Sequence, residues 1–176
     1  MVKVSKNSKI PKKGFIGRIF CRLTRKVSGS SPPGLVFVNF VVQRLLGVNN
    51  RVPWPVHFTS RVQGEIEIGN NVAKSFAVSG GCYIQGYNGI IIGEDSIFAP
   101  NVQIISGNHD MENGGWISGK PIRIGRNCWI GAGAVILPEV CLGDGCVVAA
   151  GAVVNQSFDK GSVVGGVPAR LLRKTL

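Results

Sequence analysis

From residue 124 the chain reads IGRNCW, IGAGAV, ILPEVC, LGDGCV, VAAGAV and VNQSFD, six consecutive blocks of six residues. Each block opens on an apolar residue: Ile124, Ile130, Ile136, Leu142, Val148 and Val154. The fifth position is small or apolar in Cys128, Ala134, Val140, Cys146 and Ala152, with Phe158 an exception, and the positions between are rich in Gly, Asn and Asp. A period of six fits neither the 3.6 of a helix nor the 2 of a simple strand. It fits short strands joined by tight corners, with Gly, Asn and Asp supplying the backbone freedom there, and the corners stacking into a β-helix. Three blocks complete one turn of 18 residues, which puts Ile124 over Leu142, Ile130 over Val148 and Ile136 over Val154 as apolar ladders in the interior.

The same pattern begins upstream with IGEDSI from Ile92 and FAPNVQ from Phe98. Counting back by sixes from Ile92 gives Gly86, Gly80, Lys74, Ile68, Val62 and Val56, a weaker register whose fifth positions (Ile90, Ile84, Val78, Val72, Ile66) stay apolar. The spacing from Ile104 to Ile124 is 20 residues, two more than a full turn, and the stretch GNHDMENGGW over 107–116 has no sixfold pattern. A loop leaves the coil there. Ahead of the coil, residues 1–13 are basic and polar, 14–27 suit a basic amphipathic helix, and 34–48 suit an apolar helix interrupted by Asn39, Gln43 and Arg44. The expected organisation is a basic arm with helices over 1–50, an all-β solenoid over 51–165 with an extruded loop at 105–121, and a C-terminal extension over 166–176.

Composition agrees with a packed, turn-rich domain: 176 residues, 16% charged, 44% hydrophobic and 25 glycines. The glycines lack collagen spacing, and no apolar run reaches the ~18 residues of a spanning helix. Five cysteines (Cys21, Cys82, Cys128, Cys141, Cys146), odd in number and without Cys-x-x-Cys pairs, imply neither a disulfide framework nor a zinc ribbon, and suit a reducing cytoplasm. The apolar stretch near the start is broken by Arg18 and Arg22, unlike a signal peptide. The net charge of +11 sits in one segment: residues 1–64 hold 12 of the 20 lysines and arginines and no acid. That points to a basic arm and away from a nucleic-acid-binding domain.

The motifs APNVQI (99–104), PIRIGRNCWIGAGAVILPEVCLGDGCVVAAGAVV (121–154) and GGVPARLLR (165–173) make residues 56–172 resemble the hexapeptide-repeat acyltransferases, and among them the sugar O-acetyltransferases of bacterial surface polysaccharide synthesis more closely than the galactoside and xenobiotic acetyltransferases. The resemblance implies a left-handed parallel β-helix, a homotrimer, acetyl-coenzyme A as co-substrate, no metal, and a cytoplasmic protein.

Acetyl transfer to a hydroxyl needs a base for the hydroxyl proton and a donor for the oxyanion. The resemblance implies that His109, on the extruded loop, is that base, projecting into a neighbouring subunit's cleft; otherwise it is a solvated loop histidine. Asp110 is expected to orient the imidazole or to remain a solvated acid. Asn101 would bind the acceptor or turn a corner, and Trp116 would shape the acceptor pocket or anchor the loop. The resemblance also implies Ala132 and Ala150 as backbone contacts for the pantetheine arm, Trp129 as an apolar wall, and Arg170 and Arg173 near the coenzyme phosphates, with a solvated basic terminus as the other reading of the two arginines. Gln156 stands where some relatives carry a lysine. His57 reads better as a structural cap than as a second base, and two histidines are too few for the three-histidine metal site of the carbonic anhydrases that share the fold.

The expected function is therefore acetyl transfer from acetyl-coenzyme A to a sugar hydroxyl in surface polysaccharide synthesis, with a xenobiotic or amino-sugar acceptor, or a noncatalytic trimeric scaffold, as alternatives. The basic arm and the apolar stretch 35–48 would suit peripheral attachment to an anionic membrane at its inner face. In the other reading that stretch packs against the coil or a neighbouring subunit.

Overall fold

The structure, a computed structural model, describes residues 32–175. The basic helix expected over 14–27 lies outside the described residues. The chain opens with helix α1 (Pro33–Phe40), which continues as one wide π turn over Val41–Leu45, then β1 (Arg61–Ile68), a short helix α2 (Ala73–Val78) and the long strand β2 (Tyr83–Ile92). Strands β3 (Ile97–Phe98) and β4 (Gln103–Ile105) precede the loop, which carries β5 (Asn108–His109) and β6 (Trp116–Ile117). The coil resumes with β7 (Ile122–Ile124), β8 (Trp129–Ile130), β9 (Val135–Ile136), β10 (Cys141–Leu142), β11 (Val147–Val148), β12 (Val153–Val154) and β13 (Ser162–Gly165). A final strand, β14 (Arg170–Lys174), folds back antiparallel on β13 and covers the last rung.

All coil strands pair in parallel, and the pairs define three faces of a prism. The first face stacks Ile84, Ile104, Ile136 and Val154; the second stacks Ile68, Ile92, Ile124 and Leu142; the third stacks Phe98, Ile130, Val148 and Val164. The three predicted pairs downstream of the loop form in register. All of these side chains except Ile68 are buried, as are the fifth-position residues Val102, Cys128, Ala134, Val140, Cys146 and Ala152. Each buried aliphatic side chain contributes about 1.5–3 kcal/mol of transfer free energy, so the core is a column of small, repeated contributions.

The corner conformation explains the period. At the fourth position of successive blocks the backbone is left-handed: Asp95 (φ 58°), Asn101 (61°), Asn127 (54°), Gly133 (66°), Glu139 (65°), Gly145 (70°) and Gly151 (68°). That region is open to glycine and tolerated by Asn and Asp, the residues that fill six of these seven positions.

The register counted upstream from Ile92 does not hold throughout. Ile84 occupies a first position beneath Ile104, because β2 carries two extra residues against β1: Gly64 pairs with Gly86 but Ile66 pairs with Ile90. Val78, expected to face inward, is 44% exposed on α2, which replaces a strand on the third face. Phe76 of that helix does a strand's packing, meeting Phe98 edge-on at 4.9 Å. Phe158 bridges to Leu142 and so belongs to the second face. Apart from α2, the departures from six fall on one edge, the corner between the first and second faces. There the spacing is eight from Ile84 to Ile92, twenty from Ile104 to Ile124, and four from Val154 to Phe158.

The expected helix over 34–48 is shorter than its apolar run, and its polar residues face inward. Asn39 and Gln43 are buried; Asn39 donates to the Ala77 carbonyl and accepts from the Phe58 N–H. Gln43 Nε2 reaches the carbonyls of Asn49 and Trp54, while its Oε1 accepts from Val56 N. The residues that interrupt the apolar pattern therefore fasten the helix to the base of the coil. Leu45 and Leu46 point outward, 71% and 69% exposed.

Ile136→Ala, in the middle of the first ladder, is expected to cost about 2–5 kcal/mol in urea unfolding, against less than about 0.5 kcal/mol for Arg123→Ala on the outer surface of the second face. Equal losses would show that the ladder does not dominate stability.

Candidate active site

The irregular corner is where chemistry-bearing side chains gather. The chain leaves the coil at Ser106, which is fully buried; its N–H and its hydroxyl both donate to the Gln85 carbonyl. Asn88, in the two-residue expansion of β2, ties both ends of the loop: Nδ2 donates to the carbonyls of Ser106 and Ile117, each at 3.0 Å. Gly107 threads between Gln85 and Trp116, where an added Cβ would lie 2.6 Å from Gln85 Oε1 and 2.7 Å from the indole. A larger residue there would have to displace the Gln85 amide and the indole.

Within the loop, β5 and β6 pair antiparallel, setting His109 opposite Trp116. The imidazole lies 4.1 Å from the Trp116 ring, tilted by 35°, and Tyr87 meets the same indole edge-on at 4.7 Å. His109 Nδ1 is 3.3 Å from the Gly114 carbonyl. A carbonyl only accepts, so the nitrogen facing it carries the proton and Nε2 keeps its lone pair. Tyr87, Asn88, Trp116, Ile117 and Ser118 line a cleft of about 470 Å³ at this corner.

Asp110 is turned towards the loop itself. Its carboxylate accepts from the Glu112 N–H at 2.8 Å and from Asn113 Nδ2 at 2.7 Å, which shapes the loop's own turn, because adjacent residues of a hairpin point to opposite sides. The imidazole's partners are Gly114 and Trp116 instead.

The remaining expected residues lie elsewhere on the prism. Asn101, Ala132 and Ala150 stack along the corner between the third and first faces, where Gly133 N donates to Pro100 O and Gly151 N to Ala132 O. Asn101 takes the left-handed corner conformation. Trp129 projects from the third face, 55% exposed, beside Ile97 and Val147 in neighbouring strands. Arg170 and Arg173 sit on β14 in the same sheet, three strand spacings from Trp129, or roughly 14 Å. Neither guanidinium has an acidic partner among the described residues. His57 stacks on Phe58 at the base of the coil, and burial holds its pKa below the usual histidine value. Burial pushes the thiols of Cys82, Cys128 and Cys146 up, away from the reactive thiolate.

Residues 121–156 match the family described as bacterial transferase hexapeptide (six repeats). The chain is 34% identical over 133 residues to a galactoside O-acetyltransferase of Escherichia coli K12, covering 73% of this chain and 63% of that protein. The structure resembles that of a hexapeptide-repeat-containing acetyltransferase from Vibrio cholerae O1 biovar eltor, solved with acetyl coenzyme A, at 27% identity and a TM-score of 0.57 over 88% of this chain and 84% of that one. The chain is thus similar to the hexapeptide-repeat transferases. Their left-handed parallel β-helix is the fold of the prism described above. Another relative is nodulation protein L of Rhizobium meliloti, 38% identical over 110 residues, covering 60% of this chain and 58% of that protein. The chain spans between about half and two-thirds of the length of the curated relatives it matches first.

In this hexapeptide-repeat chain, the sequence reading missed Tyr87 and Asn88. The signal for them was present as the loss of register between Ile84 and Ile92, since an expanded corner turns side chains outward that a regular hexad would spend on the turn. Asn88→Ala should free both ends of the loop, and cleavage within 107–119 under limited proteolysis should accelerate at least about tenfold with the coil intact. An unchanged cleavage rate would show that other contacts hold the loop.

Proposed function

We propose that the protein is an acetyl-coenzyme A-dependent O-acetyltransferase acting on a sugar hydroxyl, working as a homotrimer. The observation that carries this reading is His109: an exposed imidazole whose Nδ1 proton is engaged by a carbonyl and whose Nε2 is free to accept a proton at the edge of an aromatic cleft. The acceptor hydroxyl gives its proton to Nε2 as its oxygen attacks the thioester carbonyl. The C–S bond then breaks, the ester is released and the sulfur leaves as a thiol, with the imidazolium returning the proton. Tyr87 and Trp116 offer apolar ring surface for the C–H face of a pyranose, and hydroxyl-bearing acceptors suit the polar atoms of Asn88 and Ser118 beside them. Cys82, Cys128 and Cys146 are buried with raised pKa values, which disfavours a thiol-bound intermediate on those three.

Where the proposed two halves of the site lie supports the trimer. His109 stands at the corner between the first and second faces, whereas Asn101, Ala132 and Ala150 line the corner between the third and first. That second corner is walled by small residues that leave backbone accessible, with Trp129 alongside and Arg170 and Arg173 further along the stack. It fits the pantetheine arm and phosphates of coenzyme A. Apposing the first corner of one copy to the second corner of the next completes a site at each contact, and a rotation that closes after three copies gives three sites. Surface polysaccharide synthesis in the cytoplasm is the setting proposed for this activity.

His109→Ala should lower kcat by about 10²–10⁴-fold, read as thiol release with a panel of nucleotide sugars and oligosaccharides, while coenzyme binding stays at the wild-type level. Turnover unchanged by that substitution, or no coenzyme binding by the wild-type protein, would instead support a noncatalytic scaffold.

The proposal extends to location. Residues 1–31 contain nine lysines and arginines and no acid, and they lead directly into α1, after which Leu45 and Leu46 face solvent. Among the described residues no helix is long and apolar enough to cross a membrane. A basic segment in the sequence, followed by a helix whose end exposes two leucines, suits peripheral contact with an anionic surface, at about 1 kcal/mol per engaged basic residue. Sedimentation with vesicles should show binding to anionic but not neutral lipid, weakened by salt and lost on removing residues 1–26. Indifference to both vesicle types would end this part of the reading.

A further inference from the structure

We infer that Glu139 is a positioning residue for the His109 loop: from the corner of the next coil its carboxylate catches the main chain where the loop rejoins the prism. The starting observation is conformational. Six of the seven left-handed fourth positions between Asp95 and Gly151 carry Gly, Asn or Asp, and the seventh is Glu139 at φ 65°. Glutamate has neither glycine's freedom nor the short side chain that lets Asn and Asp bond their own backbone, so this corner is strained by its residue type. The strain coincides with a specific contact. Glu139 Oε1 accepts the Lys120 N–H at 3.2 Å, and a Cβ on Gly119 would lie 2.6 Å from the same oxygen and 3.2 Å from Asn88 Nδ2. The returning chain therefore passes between Asn88 on one coil and Glu139 on the next.

The two side chains divide the work. Asn88 joins Ser106 to Ile117 across the loop's neck, and Glu139 fixes the neck's height along the prism axis. Glu139 has no ion pair among the described residues, so its carboxylate serves the main chain and not the Lys120 ammonium. Trp116, adjoining Ile117 and four residues before Lys120, carries the imidazole of His109. A shift of the neck moves the base relative to the cleft. The consequence for turnover rests on the proposed role of His109; the mechanical role does not.

The test compares Glu139→Gly and Glu139→Gln in the full-length protein. Glycine relieves the left-handed strain and removes the acceptor, so the glycine variant should melt at or above the wild-type temperature while amide exchange within 107–119 accelerates about 2–10-fold. Its kcat should fall by a similar factor with the KM for the coenzyme unchanged. Glutamine keeps an acceptor oxygen and should restore both loop exchange and kcat to within about twofold of wild type. A glycine variant with wild-type loop exchange, or a glutamine variant that behaves like glycine, would overturn the proposal. If the wild-type protein transfers no acetyl group yet the glycine variant shows the faster loop exchange, the brace stands and the catalytic reading fails.

Discussion

At one position in every six the main chain must turn through a left-handed conformation, and the rest of the structure depends on that requirement being met at each corner. When it is met by Gly, Asn or Asp, two-residue strands suffice, because each strand is held by its neighbours above and below and not by its own length. The ladders of Ile, Leu, Val and Phe then align without further instruction, since a fixed number of residues per corner returns equivalent side chains to equivalent places. A single buried isoleucine contributes about 1.5–3 kcal/mol, and a column of them, each packed between two others, penalises any slipped register many times over.

Regularity of this kind has a chemical cost, because a uniform prism offers no cleft. The protein makes one by relaxing the rule along a single edge. Two extra residues in β2 turn Tyr87 and Asn88 outward, fourteen more than a hexad extrude the loop with His109 and Trp116, and the corner below it carries Glu139. The other two edges remain close to regular and supply the rigid backing. The cleft thus opens where the repeat is broken, on a scaffold whose remaining corners leave little freedom for the break to spread.

The ends of the coil needed separate solutions. At the start, α1 is fastened by buried amides of Asn39 and Gln43, which satisfy backbone groups that have no further rung to pair with. At the finish, β14 covers the last rung antiparallel to it. Both devices consume polar and basic residues that look, in the linear chain, like interruptions of an apolar pattern.

The solenoid from Ile92 onward was legible because its period is local: the spacing of Ile124, Ile130, Ile136, Leu142, Val148 and Val154 encodes the ladder pairs directly, and the extruded loop shows as the place where the spacing fails. His109 stood out for the same reason, as a base-forming side chain in the one stretch without a repeat. What lay beyond the linear chain were the features set by neighbours one turn away. Ile84 took a first position because β1 and β2 differ by two residues across a shared corner. Phe76 replaced a strand because it could reach Phe98 from a helix. Asp110 turned to Glu112 and Asn113, leaving the imidazole to the Gly114 carbonyl. Asn88 and Glu139 found their roles through contacts 18 to 29 residues distant, which no count along the chain reveals. The repeat is written in covalent spacing and can be read there; the site is written in the differences between successive turns, and those acquire meaning only when the turns are stacked.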